Sequence, residues 1–96
     1  MAVNAIRIRP EDNVAVATRD IAAGETVALA RGISLPARDA IPYGNKVSLV
    51  AIAEGEPIVK YGEHVGHAQR RIEPGEVVHT HNVHPLPLPD VYVEAT

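Results

Sequence analysis

The sequence predicts a single all-β domain, a small barrel or folded-over β-clip built from short strands. Three observations carry that expectation. The chain has 96 residues, the length of one domain. Val and Ile together outnumber Leu about fourfold, and β-branched side chains, with few χ1 rotamers, fit a pleated sheet better than a helix. Pro or Gly interrupts most windows long enough for three helical turns, and no sustained helical stripe is present.

The elements follow in chain order. Residues 13–17 alternate Val14 and Val16 on one face, as a half-buried strand does. A turn pattern, Ile-x-x-Gly-Glu-x-(Val/Ile), comes next at residues 21–27 and returns at 52–58 and 72–78. In the last copy Pro74 presets φ for the second turn position and Gly75 can take the positive φ that a type II turn requires at the third. The copies stand at unequal intervals, so they are read as shared turn chemistry that builds the fold. Between turns, strands are expected at 26–30, at 33–35 across the Arg31-Gly32 bend, at 58–61, at 65–72 and at 77–81. Residues 47–52 are nearly continuous apolar sequence, which suits a strand covered on both sides. Residues 1–84 thus form the domain, and 85–96 form a Pro-rich C-terminal arm whose alternating prolines favour extended polyproline. Val91-Tyr92-Val93 could add an edge strand to a partner.

Composition narrows the chemistry. Net charge is −3 with acids and bases interspersed, and no basic stripe suggests nucleic acid. Without cysteine, disulfides, thiolate metal sites and cysteine nucleophiles are excluded. No apolar run reaches the length of a membrane span. The first residues contain no secretory h-region, so a cytoplasmic location is expected.

Three polar clusters stand out from the aliphatic background. Ile41-Pro42-Tyr43-Gly44-Asn45-Lys46 is a turn feeding the most apolar strand. Lys60-Tyr61-Gly62 is followed closely by His64, Gly66 and His67. Val78-His79-Thr80-His81-Asn82 is the third. On a strand, His79 and His81 would face the same way and present two imidazoles to one point, either for proton transfer or as metal ligands. A metal would need a third ligand from His64, His67, His84 or another chain. Lys46 and Lys60 read either as solvated surface charges or as cations whose neighbouring glycines, Gly44 and Gly62, let a carboxylate or phosphate approach closely. Tyr61 adds a hydroxyl. Asp12 and Asp20 read as turn or strand-end residues.

In this order, residues 12–17 (Asp-Asn-Val-Ala-Val-Ala), 20–24, 41–47, 52–55, 60–62, 65–66 and 78–82 resemble the SAF-type N-terminal domain of altronate and galactarate dehydratases, which is shared with the small subunit of sulfolactate sulfo-lyase. The resemblance covers roughly residues 6 to 84. It implies a SAF-type β-clip and a lyase that removes water, or sulfite, from an acidic polyol. It also implies that this chain is the small subunit, or a detached N-terminal domain, of a carbon–oxygen lyase that is inactive without a large catalytic subunit. A divalent metal such as iron would be held mainly by that subunit. His79, His81, Lys60 and Tyr61 would then act in catalysis, and Gly44, Asn45, Lys46, Gly62 and Asn82 in binding a small sugar-derived acid. Any metal contact from this chain would come from His79 and His81, and a homo-oligomer is compatible with the pattern. One departure stands at Asn45, where the family usually has His: Asn hydrogen-bonds but does not titrate. A non-catalytic sugar-acid-binding or assembly module is the alternative, as is the sulfolactate enzyme's small subunit.

Overall fold

The computed structural model describes residues 2–79 and 81–85. Most of the Pro-rich arm, including the segment proposed as an edge strand, lies outside the described residues, as does Thr80. Among the described residues nine strands follow one another: β1 (Ala5–Ile6), β2 (Val14–Ala17), β3 (Thr26–Ala28), β4 (Ser34–Pro36), β5 (Lys46–Ser48), β6 (Pro57–Lys60), β7 (Glu63–Ala68), β8 (Val77–Val78) and β9 (Val83–Pro85). The only helical piece among them is a 3-10 turn, Ala30–Gly32. The all-β expectation is met, but the strands make three small antiparallel sheets and no closed barrel: β1-β2-β5-β8, β3-β4 and β6-β7-β9.

The expected strands are shortened for identifiable reasons. The 47–52 segment ends at Ser48, because the Ser48 hydroxyl bonds the Val50 carbonyl and turns the chain. It re-enters the sheet pattern only as an Ile52–Ile72 bridge. The 77–81 segment stops as a strand at Val78, and the Asn82 N–H donates back to the His79 carbonyl, 3.0 Å. β7 carries a bulge: Ile58 opposes Gly66 and Val59 opposes His64, leaving Val65 as the extra residue.

The three Gly-Glu turns are one device used repeatedly. In each, glycine has φ near +88° (Gly24 +88, Gly55 +86, Gly75 +89). The glutamate N–H donates back to the carbonyl three residues earlier, and its carboxylate accepts that same residue's N–H. Those carboxylate bonds are Glu25 to Ala22 at 2.6 Å, Glu56 to Ala53 at 2.7 Å and Glu76 to Glu73 at 2.7 Å. The side chain thus completes the turn that its own backbone begins.

A fourth copy, with Asn in place of Glu, removes the apparent irregularity of spacing. Ile41-Pro42-Tyr43-Gly44-Asn45-Lys46-Val47 has Gly44 at φ +83° and the Asn45 N–H donating to the Pro42 carbonyl, 3.0 Å. With it, the chain becomes a repeat shifted by 31 positions: Ile21 to Ile52, Gly24 to Gly55, Ala37 to Ala68, Ile41 to Ile72 and Gly44 to Gly75. Ile21 bridges Ile41 as Ile52 bridges Ile72. Gly24 donates to Ala37 as Gly55 does to Ala68, each at 2.8 Å. Two asparagines of the N-terminal segment clip one hairpin of each half. Asn4 bonds the Thr26 carbonyl and the Ala28 N–H, and Asn13 bonds the Pro57 carbonyl and the Val59 N–H.

The cores follow the same division. One gathers Ile21, Val27, Ile41 and Val47 around several alanines, and the other gathers Ile52, Ile58, Ile72 and Val78 with Val14. Fully burying each of these side chains contributes about 1.5–3 kcal/mol.

Candidate functional site

The fourth turn explains why its neighbourhood is free for chemistry. Pro42 stands where the other turns have Ala22, Ala53 or Glu73, and proline has no N–H. A carboxylate at position 45 would find no donor to accept. Asn45, half-buried, makes no side-chain hydrogen bond among the described residues, so its amide remains available. The turn is held from outside instead: the Tyr43 N–H donates to Asp20 Oδ1, 2.8 Å. Nothing lies within 4 Å of where a Cβ on Gly44 would stand, which leaves the approach to Asn45 and Lys46 open.

Lys46 begins β5, the strand between β2 and β8, and shares a sheet face with its direct cross-strand partners Val16 and Val78. Its ammonium group is held below the usual lysine range, first by burial and then by the nearby positive charge of Lys60. The sheet face of one half and the hairpin β6–β7 thus bring two lysines, distant in sequence, into mutual range. Each ion pair among the described residues uses an arginine (Arg19–Glu25, Arg70–Glu76 and Arg71–Glu73). Among the described residues neither lysine is neutralised by a carboxylate.

Lys60 ends β6 and pairs with Glu63 across a two-residue hairpin. Both central residues have positive φ, Tyr61 +57° and Gly62 +77°, the geometry of a type I′ turn. Asn or Gly normally fills the first of these positions; tyrosine there costs about 1–2 kcal/mol. The ammonium of Lys60 lies 4.9 Å from the centroid of the Tyr61 ring, a cation–π distance. Asp12 holds this turn: Oδ1 accepts the Gly62 N–H at 2.7 Å, and Oδ2 accepts the Tyr61 N–H at 2.9 Å and the Arg9 N–H at 3.1 Å. Burial pushes the Asp12 carboxyl up, but these N–H bonds outweigh it and hold the group below its usual range. Glu11 and Arg9 side chains cover the side of Gly62 where a Cβ would stand, so Gly62 serves the turn more than an incoming ligand.

The third cluster is arranged differently from the sequence expectation. His79 and His81 are both exposed and stand in a turn, so the same-face logic of a strand does not apply to them. No hydrogen bond or ion pair joins either to the lysines among the described residues. Asn82 is 0% exposed, and its amide is committed to the backbone: Oδ1 accepts the His79 N–H at 2.9 Å and Nδ2 donates to the Val77 carbonyl at 2.8 Å. It anchors the turn rather than offering its side chain to a ligand. His67 opposes His84 across β7 and β9, while His64 lies beyond the bulge. No three His, Asp or Glu side chains gather into a metal-holding set among the described residues. The donors among the described residues do not fit a complete metal centre.

Lys46, which follows Gly44 and Asn45, and Lys60, which precedes Tyr61 and Gly62, lie within electrostatic range of each other, while His79, His81 and Asn82 follow β8, whose Val78 pairs with Lys46. Sequence reading passed over Asp12 and Asp20 as ordinary turn residues. Their bonds reach 50 and 23 positions along the chain, beyond any local pattern. Pro42 carried a usable signal that went unread, since a proline at a turn's first position removes a donor.

The altronate/galactarate dehydratase SAF domain family matches residues 3–85. The chain is 46% identical over 77 residues to an altronate dehydratase of Bacillus subtilis and 39% identical over 77 residues to one of Escherichia coli. Each alignment covers 80% of this chain and 15% of the relative. It is 40% identical over 53 residues to the (2R)-sulfolactate sulfo-lyase subunit alpha of Chromohalobacter salexigens, covering 55% of this chain and 56% of that subunit. The chain thus spans a small part of the dehydratases and about half of this alpha subunit.

Proposed function

Because the chain belongs to the altronate/galactarate dehydratase SAF domain family, we propose that it supplies the carboxylate-holding wall of a lyase active site completed by a larger partner. The observation that carries this reading is the pair of un-neutralised lysines, Lys46 and Lys60, set beside the free amide of Asn45 and the hydroxyl of Tyr61. In a chain of net charge −3, two mutually repelling cations with no carboxylate partner among the described residues suit an anionic ligand. Eliminating water from a sugar acid removes the proton next to its carboxylate and expels the hydroxyl on the adjoining carbon. Negative charge then spreads onto the carboxylate, where fixed cations stabilise it most. Lys46 and Lys60 hold that group, and Asn45 and Tyr61 orient substrate hydroxyls. The exposed imidazoles of His79 and His81 stand ready for proton transfer from the turn after β8. Asn45 does not titrate, so the proton acceptor is one of these histidines or a group of the partner. A divalent metal such as iron would belong to the partner's body.

A second reading has its own support. The sulfolactate relatives are alpha subunits, one part of an enzyme of several subunits, and sulfolactate carries two anionic groups, as galactarate does. Two lysines fit either.

The test is reconstitution. The chain is co-expressed with a dehydratase-like large subunit, ferrous iron is added, and dehydration of altronate and galactarate and release of sulfite from sulfolactate are measured. Activity is expected to need both proteins and to fall about a hundredfold in Lys60→Ala or Lys46→Ala with the complex intact. Full activity from the large subunit alone would overturn the proposal and leave a binding or assembly module.

A further inference from the structure

The hairpin that carries Lys60 and Tyr61 is held in an unfavourable backbone conformation by a residue far away in sequence. The equivalent hairpin in the other half manages without one. There, Arg31 and Gly32 take the positive φ values, +66° and +76°. The loop is longer and closes on itself through the Leu29 N–H and the Ile33 carbonyl, 2.8 Å. The asparagine clips put Asn4 in register with Asn13, so Val3 stands where the second half has Asp12. Lys60 likewise falls where the first half has Leu29. The carboxylate and the cation it helps to place therefore occur together, in one half only.

We propose that Asp12 is the positioning residue of this site: by accepting the N–H groups of Tyr61 and Gly62 it locks the hairpin tip and so fixes where the Tyr61 ring and the Lys60 ammonium stand. Asp12 touches no substrate in this arrangement. It is only 4% exposed and lies behind the tip. Two of its three backbone bonds tie the β6–β7 hairpin to the residues between β1 and β2; the third, from the Arg9 N–H, holds that segment, which also lays Arg9 and Glu11 over Gly62. An ionised carboxylate is suited to this work because it accepts at both oxygens at once. Asparagine keeps the shape but has one acceptor oxygen, so one of the two tip N–H groups faces a donor. The assignment rests on the reading that Lys60 and Tyr61 meet an acidic substrate, and its test separates the two claims.

In the full chain, Asp12→Asn is followed by amide hydrogen exchange at single-residue resolution. Exchange at Tyr61 and Gly62 is expected to accelerate by at least roughly tenfold, while Val47 and Ile72 in the two cores change little. In the reconstituted enzyme the same variant is expected to raise KM for galactarate by about tenfold with a smaller fall in kcat, because the lysine is displaced and not removed. Unchanged exchange at Tyr61 and Gly62 in folded Asp12→Asn would overturn the assignment. If Asp12→Asn fails to fold, Tyr61→Gly is added, since glycine takes the left-handed turn without strain. Recovery of folding supports the positioning role, and continued failure to fold overturns it in favour of a general core role. Lys60→Ala keeps the claims apart: an active Lys60→Ala enzyme refutes the substrate reading while leaving the exchange result intact.

Discussion

The turns at 42–45 and 73–76 occupy equivalent places in the two halves, yet one builds and the other is left free to bind. At 73–76 every group is used. The Glu76 carboxylate closes its own turn on the Glu73 N–H and pairs with Arg70 at 3.1 Å. Gly75 is wedged where any Cβ would collide with the Pro36 carbonyl oxygen. At 42–45 Pro42 withholds the donor, Asn45 replaces the glutamate, and the space beside Gly44 is empty. Lys46 and Lys60 continue the contrast, replacing Val77 and Leu29 of the opposite halves. The repeated scaffold thus leaves polar side chains uncommitted at 42–45, where its own stabilising device is missing.

The sharpest way to break this contrast is at the glycines. Gly75→Ala combines a positive φ with a backbone collision and should cost about 4 kcal/mol or more, enough to unfold much of the protein. Gly44→Ala has the same φ cost without the collision and should lose about 1 kcal/mol. Denaturant midpoints of the two variants measure the difference directly. Glu76→Gln should cost about 1–2 kcal/mol, because the N–H bond of its turn loses its charge assistance.

The reverse operation sharpens the same point. Asn45→Glu alone should add no stability, since Pro42 offers no N–H, whereas Pro42→Ala/Asn45→Glu should regain the closure with a coupling of about 1 kcal/mol in a double-mutant cycle. Both variants should lose activity in the reconstituted enzyme. Lys46→Met should raise stability by about 1 kcal/mol while lowering activity about a hundredfold, because it removes a partly buried charge held near another of the same sign.

Acid gives the gentlest test. Asp12 and Glu76 are each pushed up by burial but brought lower overall by backbone N–H bonds, from Gly62, Arg9 and Tyr61 for the first and from Glu73 for the second, where Arg70 adds to the effect. Their folded pKa values lie below the unfolded ones. The stability they contribute is therefore full above about pH 5, clear of the unfolded values, and is lost as the pH falls through the lower folded values. Asp12→Asn should flatten that acid limb in a thermal melt recorded from pH 5 to 2.

Much of the fold was legible beforehand. The Ile-x-x-Gly-Glu pattern gave three turns because its chemistry is local. The fourth was hidden by the very substitutions, Pro42 and Asn45, that matter for the site, and with it the regular 31-position shift. Lys46, Lys60 and Tyr61 could be named from their glycine-rich surroundings. Asp12 could not be assigned its work, since its partners at Tyr61 and Gly62 lie across a fold that only the register of both halves brings together. The histidine pair was misjudged as strand-borne because nothing local announces that Asn82 folds back on Val77 and His79 and ends β8 early.

β2 has a consequence for how the molecule comes apart. Ala15 and Ala17 enter one core while Val14 enters the other, and Asn13 just before them clips a hairpin 44 to 46 positions away. A strand shared between both interiors denies either half an independent existence, so denaturation should be a single cooperative event despite the duplicated layout. Such long loop closures also make folding slow for a chain of this size, in milliseconds to seconds rather than microseconds.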